Sequence, residues 1–264
     1  MAKYAGVDLS YVQSRVDYAA LAKGTILGYK VRFAMIRIGY STTMDRLALK
    51  HIAGCKAAGI NVGLYLYSYA TTTKEAIAEA NFVLKVIRDN NLDGCISYPI
   101  AFDVEEERTL TLGKAKVTAI CKAFLDTIEA ANYQSMLYLC ANSVVNHVDI
   151  NALSNYWLWV AAYIKEERLK SVFNITNPTM WQHSVAGHKT YDTYLVGRVP
   201  GVTGQCDCNW AYSGLATAIK KAGKNHFIKQ VKLTATKTVK ATDVAALKQE
   251  FKTRGFTVTT KEVT

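Results

Sequence analysis

The chain has 264 residues, of which 50% are hydrophobic, and a formal net charge of +11 at pH 7. This length fits a single large barrel domain, and the hydrophobic content excludes a disordered chain. The N-terminal segment lacks the apolar stretch of a secretory signal, and no segment approaches the roughly 18 apolar residues of a membrane helix, so we expect a protein that stays in the cytoplasm after synthesis.

Apolar runs recur at about the spacing of a β/α repeat, and we predict a strand at each of them. These runs cover residues 4–9, 33–38, 62–69, 100–104, 135–140, 156–162, 179–184 and 204–210. Apolar residues at three- and four-residue intervals predict helices over 45–58, 73–90 and 113–131. A further helix should follow Asn142, and a short apolar segment lies near 18–21, but the last three strands have no comparable helix between them. The pattern predicts an α/β fold, a barrel that becomes irregular towards its end.

The composition changes after the strand that ends at residue 210 and a short helix over 215–222. A strand rich in Val, Thr and Lys, a helix over 242–253 closed by Gly255, and a strand over 256–263 predict a small C-terminal β-α-β unit. We therefore expect two domains, 1–223 and 224–264. About 40 residues bury too little surface to be stable alone, so the smaller domain should dock on the barrel or pair with another copy.

The stretch from 99 to 105 is the most informative, because it reads as a buried strand that ends in two carboxylates. Side chains alternate along a strand, so Asp103 and Glu105 should point the same way, about 7 Å apart. One carboxyl can then stay protonated as a general acid while the other is ionised, which suits cleavage of a glycosidic bond. The alternative is a strand that runs into an acidic loop, since Glu106 and Glu107 follow.

Polar and aromatic residues also mark the other strands, and barrel sites lie at the C-terminal ends of strands. The positions are Asp8, Arg37, Tyr65, Tyr67, Tyr69, Tyr138, Asn142, Trp157, Trp159, Tyr163, Trp181, Gln182 and Asp207. An aromatic residue in a strand usually belongs to the core, but four carboxylates at three strands are hard to explain by packing. Acidic groups among Tyr and Trp suit a carbohydrate cleft, because aromatic faces stack on sugar rings.

Several other kinds of site lack their motifs in this sequence. The five histidines form no zinc-binding pattern, and the six cysteines include no Cys-x-x-Cys pair. There is no Walker loop, dinucleotide fingerprint or Gly-x-Ser-x-Gly elbow. We therefore predict no metal, no cofactor and reduced thiols, with Cys206 and Cys208 on the strand face opposite to Asp207.

Seven short motifs and one tyrosine lie in order between residues 4 and 214. They are GVDLS at 6–10, FAMIRIG at 33–39, GLYLYSY at 63–69, PIAFDVE at 99–105, Tyr138, WLWVA at 157–161, WQ at 181–182 and DCNW at 207–210. Together they resemble glycoside hydrolase family 25, the lysozymes sometimes called the Chalaropsis type. The resemblance implies an irregular TIM-like (β/α)5(β)3 barrel. It also implies hydrolysis of the β-1,4 bond between N-acetylmuramic acid and N-acetylglucosamine in bacterial peptidoglycan.

Carried over residue by residue, the resemblance implies that Glu105 is the general acid and then the base. Asp103 would be either a nucleophile or the group that stabilises the substrate acetamido group. Asp8 and Asp207 would line the cleft and raise the proton affinity of Glu105 through like charge. The expected substrate contacts are Arg37, Tyr67, Tyr69, Tyr138, Trp159 and Gln182.

We therefore predict an endolysin-type N-acetylmuramidase of a bacteriophage, made in the host cytoplasm and acting on the cell wall after release. The positive charge favours polyanions but does not by itself choose among nucleic acid, an anionic membrane and the cell wall, and most of the dispersed lysines read as solvated surface. Given the resemblance, we expect the charge to help hold the enzyme on anionic wall polymers, with no nucleic-acid or membrane partner. Residues 224–264 would bind the wall or form a homodimer. A non-catalytic wall-binding protein would have no reason to keep both Asp103 and Glu105, and a chitinase-like glycosidase would carry a longer acidic signature.

Overall fold

The computed structural model describes residues 3–188, 196–212, 214–226 and 241–253. The chain divides into two compact units, residues 1–228 and 229–264. The first unit contains the strands and eight of the α-helices described below, and the second contains a 3-10 helix and one α-helix. The strands predicted from residue 225 and over 256–263 lie largely or wholly outside the described residues, so the β-α-β arrangement of the tail stays a prediction.

A closed barrel of eight strands forms the centre of the first unit. Its strands and two short additions are β1 (Tyr4–Leu9), β2 (Thr25–Ile26), β3 (Tyr29–Tyr40), β4 (Thr43–Met44), β5 (Asn61–Tyr67), β6 (Ile100–Asp103), β7 (Ser135–Cys140), β8 (Trp157–Ala161), β9 (Met180–Ala186) and β10 (Cys206–Ala211). The barrel order is β1, β3, β5, β6, β7, β8, β9, β10, and β2 and β4 pair with β3 alone. Barrel neighbours from β1 to β9 are parallel, whereas β10 is antiparallel to both β9 and β1. The predicted irregular α/β barrel is thereby confirmed.

Helices cover the barrel on the outside. They are α1 (Tyr18–Lys23), α2 (Ala48–Ala57), α3 (Thr73–Asp89), α4 (Glu107–Leu110), α5 (Lys114–Ala130), α6 (Ala141–Asn146), α7 (Glu166–Phe173) and α8 (Leu215–Ala222). A capping box begins α3, because Thr72 Oγ1 accepts from the Glu75 backbone N–H and the Glu75 carboxylate accepts from the Thr72 backbone N–H. In the second unit a 3-10 helix (Ala241–Asp243) leads into α9 (Val244–Thr253), close to the predicted helix.

Helix α7 was not expected from the sequence, which indicated no comparable helix between the last three strands. It lies between β8 and β9, with Glu166 and Glu167 in its first turn and Asn174 in the left-handed conformation after its end. Of its eight residues only Leu169 is buried. Its apolar residues Leu169, Val172 and Phe173 have helical spacing, but eight residues are too short a segment for that spacing to distinguish a helix from a loop.

The barrel interior is filled by large side chains in layers. Phe33 and Tyr98 stack with their ring centroids 4.7 Å apart, at the level where β3 pairs with Gly6 of β1. A Cβ atom at residue 6 would lie 2.4 Å from the Phe33 ring, so only glycine fits there. Tyr65, Tyr138 and Trp159 form the next aromatic group, with the Tyr138 and Trp159 centroids 4.5 Å apart. This packed interior closes the barrel beneath its C-terminal mouth.

Cys206 and Cys208 are buried in the outer layer, and both are free thiols. In the part of the chain that the structure describes, no helix combines the length and the apolar character needed to cross a membrane.

Candidate active site

Four carboxyl groups meet in one cavity of about 360 Å³ at the mouth of the barrel. Asp8 comes from the end of β1, Asp103 from the end of β6 and Glu105 from the segment that follows. Asp207 was expected at the end of a strand, but it is the second residue of β10. It reaches the mouth because β10 is antiparallel to its neighbours, which places its beginning beside the ends of the others. We call this cavity the carboxylate pocket.

The two carboxylates of the β6 segment differ in exposure. The strand ends at Asp103, one residue before the predicted end, and Glu105 lies in the loop that follows. Asp103 is 4% exposed, whereas Glu105 is exposed at the rim of the pocket. Oδ1 of Asp103 is buried and has no hydrogen-bond partner among the described residues. The pocket therefore has one buried carboxylate oxygen with no protein donor and one accessible carboxyl group.

Asp8 is held by two amide side chains. Its Oδ2 accepts from Gln182 Nε2 at 3.1 Å and from Asn209 Nδ2 at 2.8 Å. The orientation of the Gln182 amide is fixed in turn, because Tyr138 and Tyr163 each donate a hydroxyl to its Oε1 at 3.0 Å. These bonds orient the Asp8 carboxylate from three strands and the segment after β8.

Asp8 and Asp207 interact as a pair of carboxyl groups whose pKa values are both raised. Burial raises the pKa of Asp207 to about 9, and the charge of Asp8 adds to the effect. At neutral pH Asp207 is therefore protonated and donates to Asp8. Burial also raises the pKa of Asp8, and the hydrogen bonds from Asn209, Gln182 and Asp207 oppose that rise. The pair consequently carries about one negative charge at neutral pH.

The pKa values of Asp103 and Glu105 are also raised. Burial raises the pKa of Asp103 well above its usual range, the charges of Glu105 and Asp8 raise it further, and Arg37 opposes them. For Glu105 the loss of surrounding water raises the pKa first, then the charge of Asp8, while a hydrogen bond with Tyr138 lowers it. In the unliganded protein these effects favour a proton on the more deeply buried Asp103.

Five of the six predicted contact residues line the carboxylate pocket, and two of these, Arg37 and Tyr67, also line a neighbouring cavity. Tyr138, Gln182, Trp159 and Tyr67 all line the carboxylate pocket. Trp159 is 1% exposed, and its Nε1 donates to Asn209 Oδ1 at 2.9 Å, so this indole supports Asn209 from within the core. The Tyr67 hydroxyl donates to Glu106 Oε1 at 2.9 Å. Tyr67 is therefore tied to the loop that carries Glu105.

Arg37 and Tyr69 lie towards a neighbouring cavity. Arg37 lines both cavities, and its Nε donates to the fully buried Asp45 at 3.0 Å. Tyr69 lines only the neighbouring cavity. Of the ten residues predicted for the site, nine line the carboxylate pocket and Tyr69 does not.

Sequence analysis missed the role of Asn209 and of Tyr163 in orienting Asp8 through its amide partners. Asn209 stands in the DCNW motif two positions after Asp207, which was the available signal. A bulge in the pairing of β10 with β9 lies between Cys208 and Asn209.

Trp181, in contrast, faces the outer layer, where its Nε1 donates to the Ala162 carbonyl at 2.8 Å. Within the described ranges no group of three or more His, Cys, Asp or Glu residues could hold a metal ion.

Comparison with known proteins gives one family and several similar folds. The model of "Glycosyl hydrolases family 25" matches residues 7–190. None of the curated proteins matches the chain. The CTP1L endolysin is 24% identical with a TM-score of 0.62, and the match covers 84% of this chain and 70% of that one.

Two further solved structures have the same fold. The catalytic domain of endolysin ply40 from bacteriophage P40 of Listeria monocytogenes is 22% identical with a TM-score of 0.63, over 83% of this chain and 97% of that one. A bacterial lysozyme from Streptomyces coelicolor is 17% identical with a TM-score of 0.60, over 86% of this chain and 99% of that one.

Proposed function

The chain belongs to glycosyl hydrolases family 25 and is a peptidoglycan-hydrolysing muramidase, and we propose that Glu105 is its general acid. The bond cleaved is the β-1,4 bond between N-acetylmuramic acid and N-acetylglucosamine. The observation that carries the assignment of roles is the contrast between Asp103 and Glu105. One is buried with an unpartnered oxygen among the described residues, and the other is exposed in the same cavity.

Asp103 is the acceptor for the acetamido N–H of the sugar on the non-leaving side. Its Oδ1 needs a donor, because a buried acceptor without one carries an uncompensated desolvation cost. A hydrogen bond to the ionised form lowers a carboxyl pKa, so substrate binding stabilises the Asp103 carboxylate. The proton that Asp103 holds in the unliganded protein is then better placed on Glu105. Binding of the correct sugar thereby favours the protonated form of Glu105, the general acid.

Glu105 donates this proton to the glycosidic oxygen as the bond to the leaving sugar breaks. The acetamido oxygen, oriented by Asp103, attacks the anomeric carbon with a lone pair and forms a cyclic intermediate, while the electron pair of the broken bond leaves with the protonated glycosidic oxygen. Glu105, now ionised, removes a proton from the water that opens this intermediate. Direct attack by Asp103 is the alternative, and it would leave a covalent link to the protein.

The Asp8–Asp207 pair serves a different purpose in this scheme. Its single charge raises the pKa of Glu105, which keeps the acid protonated at a higher pH. The pair also lies under the sugar, where its position is fixed by Gln182 and Asn209. Tyr138 and Tyr67 complete the walls of the pocket and contact sugar hydroxyls.

The assignment of Glu105 is tested by digesting purified peptidoglycan with the wild type and with Glu105→Gln. Removal of a general acid lowers turnover by about 100-fold to 10,000-fold, so clearing of the suspension should almost cease. Mass spectrometry after reduction should place the new reducing ends of the wild-type products on muramic acid. The matched control is Glu107→Gln, because Glu107 is an exposed residue of α4 that does not line the pocket. Full activity of Glu105→Gln, or reducing ends on glucosamine, would refute the assignment.

We further propose that the enzyme acts as a bacteriophage endolysin and that residues 224–264 form a separate module that holds it on the wall or makes it a dimer. The likeness to the endolysin folds and the charge of +11 support this proposal. Cells that express the full chain should lyse only when their membrane is permeabilised. Deletion of 229–264, the second compact unit, leaves the buried Asn225 in place. It should then reduce salt-sensitive wall binding or change the native mass, and no change in either would count against a separate module.

A further inference from the structure

A second cavity, of about 400 Å³, adjoins the carboxylate pocket. We call it the tyrosine–arginine bay, and the lining residues that matter here are Tyr11, Arg37, Met44, Arg46, Tyr67 and Tyr69. Arg37 and Tyr67 line both cavities, so the bay and the pocket are continuous at these two side chains. A ligand that enters the pocket can therefore extend into the bay.

The walls of the bay include apolar and aromatic side chains that are exposed to solvent. Tyr11, Met44 and Tyr69 are 42%, 38% and 37% exposed and lie on its walls. Exposed aromatic residues gathered in a concave site mark a surface that contacts a ligand. The bay nevertheless has no described carboxylate in its lining, in contrast to the pocket beside it.

Arg46 supplies the uncompensated positive charge of the bay. Arg37 is paired with Asp45, whose Oδ2 lies 3.0 Å from its Nη2. Arg108 packs over Tyr69 and lies 3.9 Å from Glu106. Among the described residues, no carboxylate oxygen lies within 4.0 Å of the Arg46 guanidinium to form an ion pair. The bay therefore carries one net positive charge, next to a pocket that carries negative charge.

The position of Arg46 is set before any ligand binds. Asp45 is fully buried and accepts from the backbone N–H groups of Tyr11 and Leu47, at 3.0 and 2.9 Å. The Tyr11 ring lies 4.8 Å from the Arg37 guanidinium carbon and 5.3 Å from that of Arg46. The hydrogen bonds of Asp45 fix the backbone beside Arg46, and the exposed guanidinium packs on the Tyr11 ring, which limits its conformations. Less entropy is then lost when it pairs with an anion.

We infer that the tyrosine–arginine bay binds a carboxylate of the stem peptide on the muramic acid, with Arg46 as its partner. This inference rests on the proposed function, because the peptide is attached to the sugar that the pocket would hold. A guanidinium pairs with a carboxylate through two parallel hydrogen bonds. A long polyanion fits less well, since it would also face the negative charge of the adjoining pocket. A single carboxylate tethered to the sugar avoids that repulsion.

The test compares two substrates: glycan chains that keep their stem peptides and chains from which an amidase has removed them. Arg46→Gln should lower kcat/KM on the peptide-bearing glycan by about fivefold to tenfold, mainly through KM, since a charge-assisted hydrogen bond is lost. On the stripped glycan the change should stay within about twofold, and salt should reduce the wild-type preference. Arg46→Lys should recover part of the preference, because it keeps the charge without the bidentate geometry.

The matched control is Arg88→Gln. Arg88 is exposed in the last turn of α3, which begins after β5 at the mouth and returns to the other end of the barrel. The Arg88→Gln substitution removes the same positive charge at a residue that does not line the bay. Equal effects of Arg46→Gln on both substrates, or no effect on either, would overturn the inference.

Competition distinguishes the possible sources of the anion. Poly(glycerol phosphate) that inhibits the wild type but not Arg46→Gln would assign the bay to wall polymers and would also overturn the inference. Failure of the wild type to release muramic acid reducing ends from either substrate would instead refute the proposed function.

Discussion

Two pairs of carboxyl groups share one cavity, and the protein holds them in opposite ways. Asp8 receives two amide hydrogen bonds, and Asp207 donates a further one to Asp8. Asp103 keeps a buried oxygen without a partner among the described residues, and Glu105 is exposed. Groups whose bonds are already made can fix charge and position, whereas a buried group without a partner gains one when the substrate arrives. The second pair is therefore where the chemistry is expected.

The same comparison explains why four raised pKa values need not mean four catalytic residues. Burial is the first cause of the shift at each of the four carboxyls, so it does not separate their roles. Their hydrogen-bond partners do separate these roles. Asp8 accepts hydrogen bonds from Gln182 and Asn209, whereas Asp103 would accept one from the substrate.

Of the two changes that compare the pairs, Asp103→Asn should have the larger effect. This change removes the charge that orients the acetamido group, and loss of such a contact in the transition state lowers kcat by about 100-fold or more. It should also shift the basic limb of the kcat profile to lower pH. The sign follows because Asp103 is ionised in the complex, so its removal takes a negative charge away from Glu105 and lowers the pKa of the acid. Stopped assays from pH 4 to pH 9 on the peptide-bearing glycan would measure both effects.

Two outcomes of that experiment would change the interpretation. A covalent adduct with the wild type, seen by intact-protein mass spectrometry with a slow fluorinated substrate, would make Asp103 the nucleophile. Activity of Asp103→Asn within about threefold of the wild type would remove Asp103 from the mechanism altogether.

The sequence predicted the barrel well because apolar strand periodicity and strand length are local properties. The predicted strand at 135–140 coincides with β7, and that at 4–9 coincides with β1. It could not predict which cavity each polar side chain would reach. Asp207 lies at the start of β10, and the antiparallel direction of that strand depends on its neighbours rather than on its own residues.

The hydrogen-bond network around Asp8 could likewise not be predicted from the sequence. Trp159 was expected to be an aromatic contact for the substrate, whereas in the structure its indole is buried and donates to Asn209. Arg46, the proposed anion partner in the bay, lies next to Asp45 in the segment between β4 and α2, and no periodicity or motif marks it. Long-range contacts of this kind depend on the closed barrel, which brings together residues separated by 201 positions, such as Asp8 and Asn209.

The smaller effect should come from Asp207→Asn, which tests the pair that is already bonded. Because the pKa of Asp207 is raised to about 9, it is neutral near pH 7, and Asn can replace it as a neutral donor to Asp8. Activity at pH 6 to 7 should therefore fall by less than about fivefold, far less than for Asp103→Asn. A loss as large as that of Asp103→Asn would contradict the division between the two pairs.

Stability against pH gives the second measurement on the same variant. Between the unfolded pKa of 3.8 and the folded pKa of about 9, the folded chain binds more protons at Asp207 than the unfolded chain does. The free energy of unfolding therefore decreases as the pH rises through this window, because the unfolded chain ionises freely and the folded one does not. In Asp207→Asn this contribution is absent, so its Tm should decrease less between pH 5 and pH 9 than that of the wild type. Equal slopes of Tm against pH would show that Asp207 is already ionised beside Asp8, and the bonded pair would then carry two charges rather than one.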